Sequence, residues 1–298
     1  MPTALITGTS TGIGEACAAL LAANGWTVHA GVRRERDAER LTATHTGDIR
    51  PVILDVTNPG HIARVVDELG TTLGDGGLQG LVNNAGVGVG GPVEYLPEDA
   101  WRFVFDANFF GIVALTRAAL PLLRQGRGRV VHIGSIGGRI ASPGLAPYSA
   151  SKHALEALAE ASRIEFALGG SPVRVALVEP GAVVTPIWDK ADDSVDALER
   201  LVDDGNREQY GWMVDQARGF VDEGRRTGVP ASRVAEAVEH ALTAPRPKLR
   251  YLVGPDAKVA GHVISRLPDR AREALVMVQA KRWRAVGEAL RLKRTTTR

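Results

Sequence analysis

The chain has one cysteine in 298 residues, Cys17, so it can form no internal disulfide and build no cysteine-based metal site. That fits a reducing compartment, and a cytoplasmic location is expected. The seven histidines lack the paired helical spacing of a metal site, so no metal is expected either. A formal net charge of +2 is too small for the body of the protein to draw in nucleic acid. No apolar run approaches the about 18 residues of a membrane-spanning helix, and no span is expected. A glycine-rich turn begins at Gly8, which leaves no room ahead of it for a cleavable leader. Aromatic residues make up only 5% of the chain, so the places where they gather carry information.

Short β-like apolar runs at 4–7, 27–32, 52–55, 80–83, 129–134, 173–178 and 251–253 alternate with helix-like segments such as 13–24, 100–123 and 149–168. Runs such as "GRVVHIGS" and "VRVALVEPG" are continuously apolar, as parallel strands buried on both faces must be. The expected fold is therefore α/β: one Rossmann-type domain over 1–268, with a doubly wound parallel sheet of about seven strands and helices on both faces. Gly25 is placed to cap the first helix.

Two segments break the alternation. Residues 186–229 are rich in Asp, Glu, Gly and Arg, yet hold Trp188, Tyr210, Trp212, Met213 and Phe220. A helical lid over an apolar substrate pocket accounts for that mixture, with Trp188, Trp212 and Met213 as substrate contacts. Residues 269–298 form a basic helical extension, and from residue 281 on Lys281, Arg282, Arg284, Arg291, Lys293, Arg294 and Arg298 are opposed only by Glu288. Leu275, Val278, Trp283, Val286 and Leu290 recur there at roughly helical spacing. Such a stripe packs on its own domain or a partner subunit before it contacts a membrane surface.

Between the first strand and helix stands Thr7-Gly8-x3-Gly12-x-Gly14. Glycine permits positive φ and close backbone approach, so such a turn can offer amide groups and a helix N-terminus to a pyrophosphate. The second strand ends in Gly31-Val32-Arg33-Arg34, with no carboxylate to accept from a ribose. Arg33, aided by Arg34, is suited to a 2′-phosphate and hence to NADP(H); two solvated arginines are the alternative. Tyr148 and Lys152 are four residues apart and share a helix face. An adjacent ammonium favours phenolate and lowers a phenol pKa from about 10, which makes a usable acid/base pair. Ser135 follows a strand and can hydrogen-bond a substrate oxygen, although "GSIGG" also reads as a small-residue loop. Asn108 lies inside a helix, where it costs stability unless it has a task.

In order and spacing, these residues, with Asn83-Asn84-Ala85-Gly86 and Pro180-Gly181-Ala182-Val183-Val184-Thr185, resemble the short-chain dehydrogenase/reductase family motif by motif over 2–185. "GGRIASPGLAPYSASKHALEALAEASRIEFA" and "VEPGAVVTPIW" are most similar to its hydroxysteroid and retinol dehydrogenase-like branch. The resemblance implies a dinucleotide held by Gly8, Ser10, Thr11, Gly12, Ile13, Gly14, Arg33 and Arg34, with Asp55 and Val56 at the adenine. It further implies contacts from Asn84, Ala85, Gly86, Tyr148 and Lys152, and from Pro180, Gly181, Val183 and Thr185 at the nicotinamide, while Asn83 ties strands together. Asn108, Ser135, Tyr148 and Lys152 would be catalytic, Asn108 by holding a water that relays protons to the lysine. The implied activity is hydride transfer between a secondary alcohol and a ketone or aldehyde on a lipophilic small molecule, steroid-, retinoid- or polyketide-like. Homodimers or homotetramers through the helices at 100–123 and 149–168 are implied as well. Two alternatives stay open: a non-redox enzyme on the same scaffold, such as a dehalogenase, and a catalytically silent dinucleotide-binding regulator. The intact glycine turn and the intact Ser135, Tyr148 and Lys152 speak against both.

Overall fold

The computed structural model describes residues 1–188, 191–202 and 205–296. Its strands are β1 (Thr3–Thr7), β2 (Thr27–Val32), β3 (Ile49–Ile53), β4 (Gly80–Asn83), β5 (Arg129–Ile133), β6 (Arg174–Pro180), β7 (Val183–Val184), β8 (Val229–Pro230) and β9 (Arg250–Val253). Seven of them form one parallel sheet in the order β3-β2-β1-β4-β5-β6-β9, and β7 pairs with β8 apart from it. The helices are α1 (Gly12–Ala23), α2 (Glu35–Thr44), α3 (Pro59–Leu73), α4 (Glu98–Phe105), α5 (Gly111–Gln125) and α6 (Ala146–Leu168), followed by α7 (Ala191–Leu201), α8 (Arg207–Thr227), α9 (Ala231–Thr243), α10 (Pro255–His262) and α11 (Asp269–Thr296).

Successive strand residues point to opposite faces, and the two faces bury different helices. Ile6, Val28, Val131 and Val178 pack with Cys17 and Leu21 of α1 and Val234 and Val238 of α9. Leu5, Leu81, Val130 and Leu177 pack with Val65 of α3, Leu115 of α5 and Leu155 of α6. The doubly wound architecture is the expected one. Strand order reverses between β1 and β4, and in such sheets the crevice beyond the carboxyl ends at that point is where a ligand sits.

The differences from expectation have local causes. The third strand runs over Ile49–Ile53 rather than 52–55, because Pro51 disguises it; β3 is an edge strand, where a residue without an N–H is tolerated. Gly25 does follow α1, at φ +82°, and its N–H bonds to the Ala22 carbonyl. The stretch Glu98–Gln125 is helical throughout, with a π turn at Asp106–Phe110 between α4 and α5. Within its 28 residues an 18-residue window of mean hydropathy 1.5 is long and apolar enough to cross a membrane by length and composition alone, although no unbroken apolar run of that length is present. Its few charges are spaced out and hide it from a search for unbroken runs. Here Ile112, Leu115, Ala119 and Leu123 of its inner face are buried in the core.

Residues 186–229 are mostly helical, in α7 and α8, around a cluster of their own: Val195, Leu198, Val202, Met213, Val214 and Val221, flanked by Trp188 and Phe220. Helix α11 lies along α8 so closely that a Cβ at Gly219 would collide with the Trp283 backbone, and one at Gly287 with that of Asp215. The Trp283 ring meets Phe220 at 5.0 Å, and Phe220 meets Trp188 at 5.6 Å. Trp283, Val286 and Leu290 thus lie toward the domain as expected, but Leu275 and Val278 are 45% and 65% exposed. At 100° per residue the face set by Ala280, Trp283 and Gly287 leaves those two on the flank and far side. Arg282 and Arg291 approach Glu223 and Asp215 of α8 at 3.8 and 3.6 Å, so acids on the lid helix answer part of the tail's charge. Arg298 and the side chains of Lys293 and Arg294 lie outside the described residues.

Candidate active site

Strand β1 ends at Thr7, and the chain turns through Gly8 and Gly12 at φ +68° and +66°. Both positions need glycine for space as well. A Cβ at Gly8 would lie 2.9 Å from the Ala85 Cα, and one at Gly12 would lie 3.2 Å from the Thr185 Cβ. The turn at residues 10–14, the segment at 84–86 and Thr185 therefore converge from three strand ends. Thr11 stands at the N-cap of α1 but makes no side-chain cap bond. The amides of the first helical turn are thus left without that partner, as suits a phosphate ligand.

Asn83 ties strands as the resemblance implies, and Asn84 takes a structural share as well. Asn84 donates from Nδ2 to the carbonyls of Thr7 and Gly8 at 2.9 and 3.0 Å, while Thr7 Oγ1 accepts from the Asn84 and Ala85 amides at 2.9 Å. Asn84 is thus a clamp between turn and strand, beyond the cofactor contact expected of it. Asn83 Nδ2 donates to Thr116 Oγ1 at 3.0 Å and lies 3.1 Å from His132 Nδ1, tying β4 to α5 and β5.

At the end of β2, Arg33 and Arg34 are exposed. Burial raises the Asp55 carboxyl, but hydrogen bonds from the Thr57 amide and hydroxyl, with the Arg33 charge, outweigh it and hold Asp55 below its ordinary range. Sequence reasoning missed Arg40 of α2, whose guanidinium bonds the Ser10 carbonyl and pairs with Glu15 at 2.9 Å. A glycine-framed, uncapped helix start beside two exposed arginines with no carboxylate at the strand end fits a dinucleotide bearing a 2′-phosphate.

Strand β5 delivers Ser135, whose Oγ accepts from the Gly137 amide at 3.0 Å. Tyr148 and Lys152 stand one turn apart in the first part of α6. Lys152 is buried, donates from Nζ to the Ile133 carbonyl at 2.8 Å, and lies 5.8 Å from the Tyr148 ring centroid. Burial pushes the ammonium pKa down to about 8. The phenol departs from expectation: burial raises Tyr148 above its ordinary value, opposed by a hydrogen bond with Ser135. Dehydration of the hydroxyl outweighs a lysine bonded to a carbonyl instead of the phenol oxygen. His132 lies beneath, its pKa lowered to about 3 by burial and then by the charges of Lys152 and Arg163. A neutral imidazole there avoids a second positive charge beside the lysine.

Asn108 sits in the π turn, fully buried. Its Oδ1 accepts from the Val87 amide at 2.8 Å, and its Nδ2 donates to the Val87 carbonyl at 2.9 Å and to Ser151 Oγ at 3.0 Å. Ser151 in turn donates to the Tyr148 carbonyl at 2.7 Å. Asn108 thus joins the loop after Gly86 to the start of α6. Its side-chain amide is engaged by protein groups at both ends. Ser151 was missed, though "YSASK" places it beside both residues of the pair.

Of the proposed substrate contacts, Met213 meets the loop that leads to Tyr148: a Cβ at Gly144 would lie 3.3 Å from its sulfur. Trp188 donates from Nε1 to the Val183 carbonyl at 2.7 Å and packs its ring over Gly224, which ties the segment after Thr185 into α8. Trp212 donates to the Gln209 carbonyl at 2.8 Å and lies at the rim of the lid's own cluster. The Gly181 amide bonds the Val253 carbonyl at 3.0 Å, and the Ala182 amide bonds Asp256 at 2.7 Å, so the loop after Pro180 is anchored to the last strand and α10.

Residues 2–196 match the family model for short chain dehydrogenases. The chain is 33% identical over 284 residues to the NADPH-dependent 3-dehydrocapnine reductase of Ornithobacterium rhinotracheale, covering 94% of this chain and 97% of that one. It is 35% identical over 283 residues to mouse retinol dehydrogenase 5, with 91% and 86% covered, and 35% identical over 268 residues to bovine 17-beta-hydroxysteroid dehydrogenase type 6, with 88% and 84% covered. Among solved structures it is similar to a short chain dehydrogenase/reductase of Burkholderia phymatum in complex with NAD (TM-score 0.73, 25% identity, 92% of this chain and 95% of that one). It is also similar to a short chain dehydrogenase of Burkholderia cenocepacia in complex with NADP (TM-score 0.67, 25% identity, 92% and 97%).

Proposed function

Since the chain belongs to the short-chain dehydrogenase/reductase family, we propose that it is an NADP(H)-dependent oxidoreductase. It interconverts a secondary alcohol and a ketone or aldehyde on a lipophilic small molecule of steroid-, retinoid- or polyketide-like character. The observation that carries this reading is the meeting of Ser135 with the Tyr148 and Lys152 pair near the carboxyl ends of the strands that hold the glycine turn. Residues 10–14, Asp55, residues 84–86 and the loop from Pro180 to Thr185 would hold the dinucleotide. Arg33 and Arg34 support NADP(H) over NAD(H), and the relative named NADPH-dependent supports the same choice.

When bound, NADPH supplies the hydride. The chain's own groups manage the proton and the developing charge. With its pKa raised, Tyr148 is a phenol at neutral pH and donates its proton to the carbonyl oxygen, while Ser135 stabilises that oxygen as it becomes negative. Lys152, buried with a pKa of about 8, stays largely protonated at neutral pH and close to the phenol. Met213 and the cluster around Trp188 cover the substrate side and keep water from it.

Residues 1–268 form the oxidoreductase domain with its lid at 186–229, and 269–298 the extension that braces the lid. Exposed Phe103 and Phe110 on the 98–125 helix and Ile164 and Leu168 on α6 support self-association through those helices, as a homodimer or homotetramer. A reducing cytoplasm suits the lone buried thiol of Cys17. The test is a screen for carbonyl-dependent NADPH consumption over ketosteroids, retinal, aromatic ketones and polyketide-like ketones. Turnover with at least one of them is expected; NADPH binding without turnover on any would favour a silent regulator.

A further inference from the structure

Beneath the catalytic residues lies a buried charged layer that the mechanism above does not use. Glu179, the penultimate residue of β6, is wholly buried. Burial and the neighbouring Glu156 push its carboxyl above the ordinary range and the Arg139 guanidinium pulls it back, and an acid in such a place is tolerable only when both oxygens are hydrogen-bonded. Arg139 grips it with a two-pronged fork, Nε to Oε1 and Nη2 to Oε2, each at 2.9 Å. Arg139 immediately follows the turn Ile136–Gly138, of which Ser135 is the N-cap. That turn rests on α6, since a Cβ at Gly138 would lie 2.8 Å from the Lys152 carbonyl oxygen. The layer continues along one face of α6, where Glu156 and Glu160 follow Tyr148 and Lys152 at four-residue spacing. Arg250 of β9 reaches these two acids at 3.0 and 3.3 Å. Facing Glu179 are Arg139 and Glu156, with Arg163 in the same layer.

We infer that Arg139 and Glu179 are positioning residues of the reaction: their fork locks the turn carrying Ser135 to the strand that leads into Pro180 and Gly181. An apolar pair of similar volume generally serves stability as well as a buried ion pair or better. What a fork adds is a fixed distance and plane. Ser135 reaches the reacting oxygen through a short turn whose far end would otherwise slide over α6. The serine and the nicotinamide-side loop are thereby held in one register.

This inference rests on the proposed roles of Ser135, Tyr148 and Lys152, and the experiment separates the two. With NADPH and a ketone from the screen, kcat, KM and Tm are measured for wild type, Tyr148→Phe, Glu179→Gln, Arg139→Lys and the double variant Arg139→Met with Glu179→Met. Arg139→Lys keeps the charge without the fork, and the double variant replaces the pair by apolar side chains of similar size. Both should melt close to wild type yet lose about tenfold or more in kcat, because small misplacement of a reacting group is costly, while the KM for NADPH stays within about threefold. Glu179→Gln should lose kcat similarly. If the folded Arg139→Lys and double variants keep wild-type kcat while Tyr148→Phe is inactive, the positioning role is wrong and the site stands. If Tyr148→Phe is also active, the reading of the site falls with it.

Discussion

Among the described residues Tyr148 is the acid hydrogen-bonded to Ser135, while Lys152 Nζ spends one of its three protons on the Ile133 carbonyl at 2.8 Å. Tyr148→Phe should therefore lower kcat by about a hundred- to ten-thousand-fold, the usual contribution of a general acid, with NADPH binding by fluorescence nearly intact. A variant turning over at wild-type rate would end that assignment. Arg33 faces the opposite test. Arg33→Asp should weaken NADPH by about tenfold to a hundredfold relative to NADH, as expected from losing a charge-assisted contact of roughly 1.5 to 3 kcal/mol. Equal losses for both cofactors would move the discrimination to another residue, Arg40 first.

His132 supplies a pH prediction. Its folded pKa of about 3 lies below its unfolded value of 6.5, so below pH 6.5 the unfolded chain binds a proton that the native state refuses. Stability from this group is complete above pH 6.5 and drains away as pH falls toward 3, by on the order of 2 kcal/mol at pH 5. Glu179, pushed up by burial and by the neighbouring Glu156, works in the other sense, losing stability as pH rises, so a single curve mixes the two. The comparison to make is wild type against His132→Asn, by urea unfolding from pH 7 to 5. The variant should lose less stability over that interval, and parallel curves would show that His132 titrates normally.

At the scale of elements, what the sequence revealed and what it hid follow a physical rule. Strands buried on both faces, such as β1 and β2, stand out as apolar runs. Strand β3 does not, because Pro51 at a sheet edge breaks the pattern without breaking the pairing. The glycine turn and the Tyr148 and Lys152 pair were legible because their spacing is local. The Arg139 fork on Glu179 joins residues 40 apart and was not. The stripe on α11 was half legible: Trp283, Val286 and Leu290 follow the packed face, whereas Leu275 and Val278 share only its hydrophobicity. The decisive contact there, between Gly219 and Trp283 and between Gly287 and Asp215, is made by what glycine lacks, which no hydrophobic pattern reports. Gly287→Leu should push α11 away from α8, raising the substrate KM several-fold while NADPH affinity stays unchanged. An unchanged substrate KM in a folded variant would show that α11 does not brace the lid.

For the molecule as a whole, the proposed cofactor hollow is framed by residues from β1, the turn beyond it, β4 and the segment at Thr185, distant parts of the chain that meet only in the native state. A ligand that needs all of them binds the folded protein and not the unfolded chain, and so stabilises it by mass action. At equal concentrations NADPH should raise Tm more than NADH does, by differential scanning fluorimetry, and the difference should shrink in Arg33→Asp. A larger shift with NADH in the wild type would reverse the cofactor assignment.

The packing of α11 on α8 also orders events in time during synthesis. The glycine turn, Ser135, Tyr148 and Lys152 all leave the ribosome well before residue 269, and so does α8. The helix that braces α8 comes after every strand of the sheet. Because a domain folds as a unit once its chain has emerged, a nascent chain whose sheet is complete can acquire its cofactor cradle while the substrate side still lacks its outer wall. Dinucleotide binding would then precede substrate selection in the life of each molecule, and a chain cut short before Trp283 would carry the acid/base pair without the brace on its lid.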